Sequence, residues 1–151
     1  MRFATLDDLQ EIARAMRAHE ELKHVRQDKL KKRIEDGQCI FEDGVAITFQ
    51  KYKKQTRVGD FDIPRGSVVI HQIVNSQQGN GKGSQVFEDF VAEIVLPSGG
   101  DLYLSVRKAN AVACAFYERH GMRVVGKVAW SKNGVKAALP GLIYKLTSAE
   151  W

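Results

Sequence analysis

Three glycines at alternate positions form the clearest chemical signature of this chain. They lie in Gln78-Gly79-Asn80-Gly81-Lys82-Gly83-Ser84, which follows a β-branched run at 67–74 and precedes an amphipathic segment at 86–96. Glycine reaches positive φ and carries no Cβ, so successive backbone N–H groups of such a turn can converge on phosphate oxygens. The dipole of a following helix adds partial positive charge at the same point. The pattern predicts an anion site; tight packing of a strand-to-helix turn is the alternative.

Two better-known phosphate loops do not fit this stretch. The nucleoside-triphosphate loop needs Gly-x-x-x-x-Gly-Lys followed by Ser or Thr, whose hydroxyl ligates magnesium, but here Gly83 follows Lys82. The dinucleotide fingerprint needs Gly-x-Gly-x-x-Gly, and the last interval between these glycines is too short. The pattern that remains is Gln-x-x-Gly-x-Gly, read from Gln78, Gly81 and Gly83.

A second motif follows farther along the chain, after a strand-like run at 102–106. It reads Asn110-Ala111-Val112-Ala113-Cys114-Ala115-Phe116-Tyr117-Glu118-Arg119-His120-Gly121-Met122. The two motifs together resemble the GNAT superfamily of N-acetyltransferases, which combines an Arg/Gln-x-x-Gly-x-Gly loop with an Asn-x-x-Ala-x-x-Phe-Tyr-x-x-x-Gly-Phe block. Met122 stands here for the final Phe. The resemblance is specific over residues 68–126 and rests elsewhere on the order of elements.

The resemblance implies acetyl-coenzyme A as the acyl donor and assigns residues to it. All seven residues of the glycine-rich loop, from Gln78 to Ser84, would surround the pyrophosphate. The strand before the loop is bulged in the family, and its main-chain groups around Ile73 and Val74 would hold the pantetheine arm. A backbone N–H between His71 and Val74 would stabilise the oxyanion. Asn110 would contact pantetheine or an ordering water, or cap the helix that it precedes.

Acyl transfer from a thioester to an amine needs a neutral amine, a polarised carbonyl and a proton for the departing thiolate. Tyr117 matches the tyrosine of the family's Phe-Tyr pair, whose hydroxyl can act as the general acid; packing beneath the cofactor is its other interpretation. No acidic residue occupies the inward positions of the strand before the loop. His71, which would titrate near neutrality, is therefore the candidate base, and a satisfied core histidine is the alternative.

Hydrophobic periodicity and turn signals predict the elements that carry these residues. The first half predicts a short strand at 2–4, a helix that starts at Thr5, a helix at 27–36, and a hairpin of strands 38–41 and 45–52 around Asp43-Gly44. Residues 55–65 are predicted as a loop or an irregular hairpin end. The second half predicts strands at 67–74, 102–106, 122–130 and 142–146, and helices at 81–96 and 110–120. The order predicts a mixed α/β (α+β) fold. The resemblance adds a central, mostly antiparallel sheet with helices on both faces, splayed between its fourth and fifth strands.

Composition places the chain among globular proteins. At 151 residues, 44% hydrophobic and 27% charged, it can form one domain over residues 1–151. No apolar run approaches the ~20 residues of a membrane span, and the N-terminus lacks the apolar core of a signal peptide, so we expect a cytoplasmic protein without a membrane partner. Cys39 and Cys114 are too few and too irregularly placed for a disulfide framework or a zinc site, and we expect buried thiols and no metal.

Positive charge offers a second possible function. The net charge of +5 comes partly from Lys29-Leu30-Lys31-Lys32-Arg33 and Lys51-Tyr52-Lys53-Lys54-Gln55-Thr56-Arg57. Lysines interleaved with a tyrosine could contact nucleic-acid phosphates. Lysines on a solvated helix and hairpin need no partner, and a basic rim would also attract anionic coenzyme A.

The sequence therefore predicts a GNAT-type N-acyltransferase that transfers an acetyl or similar acyl group to a primary amine by direct attack. A small amine or a protein amino group is the favoured acceptor, and the protein would be a monomer or homodimer. Two alternatives are a nucleic-acid-modifying relative, of the phage Mom or tRNA type, and a non-catalytic acyl-coenzyme A-binding module.

Overall fold

The structure is a computed structural model that describes residues 1–77 and 79–151. The helices and strands in chain order are α1 (Leu9–Arg17), α2 (Gln27–Glu35), β1 (Cys39–Glu42), β2 (Val45–Lys51), β3 (Thr56–Val58), β4 (Phe61–Ile63), β5 (Val68–Asn75), α3 (Gly83–Phe90), α4 (Leu96–Ser98), β6 (Leu102–Arg107), α5 (Ala111–Arg119), β7 (Arg123–Lys132) and β8 (Val135–Leu146). Single 3₁₀ turns occupy Leu6–Asp8 and Ser148–Glu150, and a π-helical turn occupies Val91–Val95.

The chain folds as two compact units. Unit 1 comprises Met1–Gln50 with Ile70–Ile94, and unit 2 comprises Lys51–Val69 with Val95–Trp151. Strand β5 crosses the boundary, so that its first two residues belong to unit 2 and the rest to unit 1. The prediction of a single domain stays a prediction.

Unit 1 contains three strands in the order β1-β2-β5, with α1, α2 and α3. Strands β1 and β2 form the predicted antiparallel hairpin, in which Asp43 and Gly44 take left-handed φ values of 51° and 83°. Buried stripes of α1 and α2 pack on one face of this hairpin and enclose an apolar core. That core contains Ala4, Ile12, Ala13, Met16, Leu30, Ile34, Cys39, Phe41, Ala46 and Val74.

Unit 2 contains β6, β8 and β7 in that spatial order, with both pairs antiparallel. A separate antiparallel hairpin, β3–β4, occupies most of the segment predicted as a loop or irregular hairpin end. The turn of this hairpin lies against β7, and a Cβ at Gly59 would come within 2.0 Å of the Lys127 carbonyl oxygen. Only glycine therefore fits this position, where φ is also +55°.

The β7–β8 hairpin is longer than predicted. Strand β8 begins at Val135 instead of residue 142, because Asn133 and Gly134 take φ values of 51° and 79° and turn the chain directly back onto β7. Lys132 pairs with Val135 across this turn. Near the base of the extension, the Trp130 ring covers Gly141 so closely that a Cβ there would lie 2.3 Å from the ring.

Most other predicted elements lie where the sequence placed them. The predicted first strand is a single bridge between Phe3 and Ile40, and the helix predicted at 81–96 is divided among α3, the π-helical turn and α4. Gly99, with φ of 79°, ends α4. The mixed α/β class with mostly antiparallel pairing is confirmed, whereas the splay between two strands stays a prediction.

Cys39 is buried, as predicted, and burial raises the pKa of its thiol to about 12. Cys114 is only half-buried, because it lies on α5, a helix whose one fully buried residue is Tyr117. No helix among the described residues combines the length and the apolar character that crossing a bilayer requires. In the same part of the chain, no group of three or more His, Cys, Asp or Glu side chains could hold a metal ion.

Candidate functional site

The glycine-rich loop connects β5 to α3 within unit 1. Gly79 and Gly81 have φ values of 86° and 73°, and a Cβ at either position would meet no atom within 4 Å. Both glycines therefore border open space, as an exposed anion site requires. Gly83 differs from the expectation of a third left-handed glycine, because it is already the first residue of α3. Gln78, predicted to lead the motif, lies outside the described residues.

Asn80 holds the loop in this conformation. Its Nδ2 donates to the carbonyl oxygen of Asp43 in the β1–β2 turn at 2.8 Å. Its Oδ1 accepts from the Asn75 side chain at 2.9 Å and from the Lys82 N–H at 3.0 Å. The Asn80 side chain thus ties both ends of the loop to a neighbouring turn. The predicted cofactor contact of Asn80 stays a prediction, and its side chain has a structural role that the sequence motif did not show.

The start of α3 supplies the polar groups of the loop. The first bond within this helix runs from the Val86 N–H to the Lys82 carbonyl at 3.1 Å, so the N–H groups of Gly83, Ser84 and Gln85 precede it. These groups form the positive end of the helix dipole. Lys82 is exposed and is the one Lys or Arg between residues 70 and 94. Backbone amides and one ammonium group can together accommodate a phosphate or pyrophosphate.

The side chains of β5 do not alternate regularly between the two faces of the sheet just before the glycine-rich loop. His71 contacts Gln50, and Val74 belongs to the same apolar core as Ala46. Ala46 and Gln50 lie four residues apart on one face of β2, whereas residues 71 and 74 of a regular strand would point to opposite faces. Between these two residues, the Gln72 N–H donates to the side-chain Oγ1 of Thr48 at 3.0 Å. These contacts indicate a bulge between residues 71 and 74, where the family resemblance places one.

The bulge reduces the number of backbone N–H groups between His71 and Val74 that can stabilise the oxyanion. Thr48 is buried, and its hydroxyl bonds both the N–H and the side-chain Oε1 of Gln72. The Gln72 N–H is therefore already engaged. Cofactor contacts of Ile73 and Val74 stay predictions, and the side chain of Val74 itself lies in the apolar core of unit 1.

His71 is partly buried in a polar cluster on the face of β2 and β5 that also carries Thr48. Its Nε2 lies 2.9 Å from Gln50 Oε1. Burial, assisted by the positive charge of Arg33 on α2, lowers the pKa of His71 from 6.5 to about 4. This corrects the expectation that His71 titrates near neutrality. Its role as a base stays a prediction.

In unit 2, helix α5 presents the second motif. The Asn110 side chain accepts from the Ala113 N–H at 3.1 Å, which shows that it caps α5. A contact of Asn110 with pantetheine stays a prediction that is compatible with this cap. Tyr117 is 5% exposed, and its ring packs edge-on against Phe116, 5.6 Å between centroids. Its roles as cofactor contact and general acid stay predictions.

Sequence reasoning missed a second tyrosine beside Tyr117. Tyr144 on β8 is fully buried, and its hydroxyl donates to Glu118 Oε2 at 2.7 Å. Burial and the Glu118 carboxylate raise the pKa of Tyr144 well above its usual range. The bond ties α5 to the sheet of unit 2, directly beside Tyr117. No sequence signal links residues 118 and 144, since their contact depends on the register of β8.

Comparison with solved structures shows a fold shared with acetyltransferases. The ribosomal-protein-S18-alanine N-acetyltransferase of Escherichia coli has a TM-score of 0.67 and 16% identity, with 95% of this chain and 89% of that chain covered. A GNAT-family acetyltransferase of Bacillus cereus has a TM-score of 0.69 and 18% identity over 95% and 93%. A Salmonella typhimurium protein solved with its cofactor acetyl-CoA has a TM-score of 0.70 and 18% identity over 97% and 92%.

The identities of these pairs are low, so the likeness is one of fold. No protein-family model and no curated protein matches the sequence. The chain has the fold of the GNAT acetyltransferases, as the two sequence motifs predicted.

Proposed function

We propose that this chain, which has the fold of the GNAT acetyltransferases, is an acyl-coenzyme A-dependent N-acyltransferase. Acetyl-coenzyme A or a close acyl analogue is the donor, and a primary amine is the acceptor. A small amine or a protein amino group is the favoured acceptor, and the protein acts in the cytoplasm.

The observation that carries this proposal is the conformation of the glycine-rich loop. Gly79 and Gly81 are left-handed beside open space, Asn80 fixes the turn, and the first turn of α3 follows at once. This arrangement suits a pyrophosphate such as that of coenzyme A. A structural relative solved with acetyl-CoA supports the choice of cofactor.

The proposed reaction is direct transfer. The amine nitrogen attacks the thioester carbonyl carbon, a C–N bond forms, and the C–S bond breaks to release coenzyme A. The amine loses one proton, for which His71 is the proposed acceptor, and the departing thiolate gains one, for which Tyr117 is the proposed donor. Backbone N–H groups of β5 would stabilise the transient oxyanion.

Calorimetric titration with acetyl-coenzyme A tests the loop. Gly81→Glu should abolish binding, because it places bulk and negative charge where the pyrophosphate would lie. Gly37→Glu is the matched control, since Gly37 also belongs to unit 1, has φ of 70° and has no atom within 4 Å of a built Cβ. The control introduces the same charge and similar backbone strain outside the loop, and it should bind normally.

Two outcomes would count against the proposal in different ways. Unchanged affinity of Gly81→Glu would remove the loop as the cofactor site. Tight binding without release of coenzyme A in any mixture with small amines, peptides, tRNA or DNA would instead identify an acyl-coenzyme A-binding module.

A further inference from the structure

Charge is divided unequally between the two units. Unit 2 holds 13 Lys and Arg residues against five Asp and Glu, a formal net charge of +8. Unit 1 holds 10 against 13, a formal net charge of −3. The overall charge of +5 therefore hides one acidic and one strongly basic unit. The glycine-rich loop belongs to unit 1, so an anion site there does not account for the positive charge of unit 2.

The few acidic residues of unit 2 are already engaged within it. Three of them form ion pairs and two accept hydrogen bonds from other groups. The pairs are Asp62 with Arg57 at 3.2 Å, Glu150 with Arg123 at 2.9 Å and Asp101 with Lys145 at 3.6 Å, and the hydrogen bonds join Asp60 to the Lys127 N–H and Glu118 to Tyr144. The remaining cations of unit 2 therefore dominate its surface charge.

Three of these cations lie on the distal part of the β7–β8 hairpin, residues 127–141, which we name the basic arm. Lys127, Lys132 and Lys136 are exposed, and among the described residues no carboxylate pairs with them. No Asp or Glu occurs anywhere between residues 119 and 149. Every residue from 131 to 138 is exposed, so both strands of the arm are uncovered at its tip.

The side chains of the tip are small apart from its lysines and Val135. They are Ser131, Asn133, Gly134, Ala137 and Ala138. Small side chains let a ribbon backbone approach a partner closely while the lysines reach around it. A two-stranded ribbon of this kind has the width that the major groove of a nucleic-acid duplex admits.

We propose that the basic arm binds the phosphodiester backbone of a nucleic acid. The proposal goes beyond acyl transfer and is tested without it. The two basic segments singled out in the sequence fit this role less well. In the segment at 51–57, Lys51 donates to the Ser98 carbonyl at 3.1 Å and Arg57 is paired with Asp62, which leaves Lys53 and Lys54 as its remaining exposed cations. The α2 lysines belong to the acidic unit, and Lys32 pairs with Asp36.

Fluorescence anisotropy with labelled probes at several salt concentrations tests the arm. The probes are a short DNA duplex, a single-stranded RNA of equal length and polyglutamate. The unmodified protein should bind a nucleic acid with an affinity that falls steeply with salt, because displaced counterions drive such binding. Lys132→Glu/Lys136→Glu should weaken binding by about tenfold or more and lower the log–log salt slope by about 2, since each contact contributes about 0.9.

Lys29→Glu/Lys31→Glu is the matched control, because it changes the net charge equally at two exposed lysines of unit 1. It should change affinity by less than about threefold, a general effect of net charge. Lys132→Gln/Lys136→Gln, which only removes charge, repeats the test if the reversal variant does not fold. Preference for the duplex or the single strand identifies the form of nucleic acid.

Three results would overturn the proposal. They are no binding to either nucleic acid at low salt, equal weakening by the arm and α2 variants, and binding of polyglutamate as tight as that of nucleic acid. The proposed acyl transfer would survive each of them, since acetyl-coenzyme A binding is measured separately.

Discussion

Tyr117 is the single fully buried residue of α5, and it occupies the tyrosine position of the second motif. If its hydroxyl protonates the departing thiolate, Tyr117→Phe should reduce turnover by roughly a hundredfold to ten-thousandfold and leave acetyl-coenzyme A affinity near its original value. Turnover is measured as release of coenzyme A with the best acceptor from a panel of amines. Acetyl-coenzyme A affinity is measured by calorimetry.

Tyr103→Phe controls for the loss of a buried phenol in the same unit. Tyr103 is 1% exposed and its ring packs against Phe61, 5.6 Å between centroids. This variant should keep turnover within about threefold, because the Tyr103 hydroxyl interacts with Lys145 and has no proposed role in the reaction. If Tyr117→Phe behaves in the same way, Tyr117 is a packing residue and another group supplies the proton.

His71 should leave a signature in the pH dependence of stability. Its folded pKa of about 4 lies below the ordinary value of 6.5, so the unfolded chain binds more protons between these values and stability rises with pH across that window. The substitution His71→Gln introduces an uncharged side chain. It should remove about 2 kcal/mol of the change in unfolding free energy between pH 4.5 and pH 7. Urea unfolding at a series of pH values measures this difference.

His24→Gln is the companion variant, since it replaces an exposed histidine of unit 1 by the same side chain. Parallel pH dependence in the His71 variant and the unmodified protein would show that His71 titrates normally. For catalysis, the low pKa means that His71 is uncharged throughout the neutral range, so any rate limb near pH 7 belongs to another group or to the amine itself.

At the scale of elements, the glycine-rich loop depends on one side chain that is not glycine. Asn80→Ala removes three hydrogen bonds, which join the loop to Asp43 in the β1–β2 turn, to Asn75 at the end of β5 and to the Lys82 N–H just before α3. At about 1 kcal/mol per bond, shared between folding and binding, the variant should weaken acetyl-coenzyme A affinity by about tenfold. Hydrogen exchange of residues 75–84 should also become faster, while the global unfolding midpoint changes little.

Gln85→Ala provides the comparison on the neighbouring helix, where the Gln85 amide donates to Asp89 at 2.8 Å. That variant should keep both loop exchange and affinity. Unaltered exchange in Asn80→Ala would show that the backbone turn is stable without the side chain, and that the glycines alone determine its shape.

Elements with local causes could be predicted from the sequence. Asp43-Gly44 specified one hairpin, and the apolar stripes of α1 and α2 specified two helices. Asn133-Gly134 is a turn signal of the same kind, and it predicts the start of β8 at Val135. The start of β8 is thus determined by a local signal.

At the scale of the whole molecule, the two motifs predicted the fold, since their order and spacing reflect how strands and helices alternate. Side-chain contacts across elements could not be predicted in this way. The bonds from Thr48 to Gln72 and from Tyr144 to Glu118 depend on a bulge and a strand register that no local pattern records. The division of charge into units of +8 and −3 likewise requires knowledge of which segments fold together.

The packing of the Trp130 ring on Gly141 also bears on the fluorescence of the protein. The chain contains two tryptophans, and the other, Trp151, is its last residue. With Trp151→Phe, the indole emission of the protein would come from Trp130 alone, at the base of the basic arm, where its ring would have to move if Gly141 carried a Cβ. The arm therefore carries its own fluorophore, and its shape can be followed in solution without attaching a label.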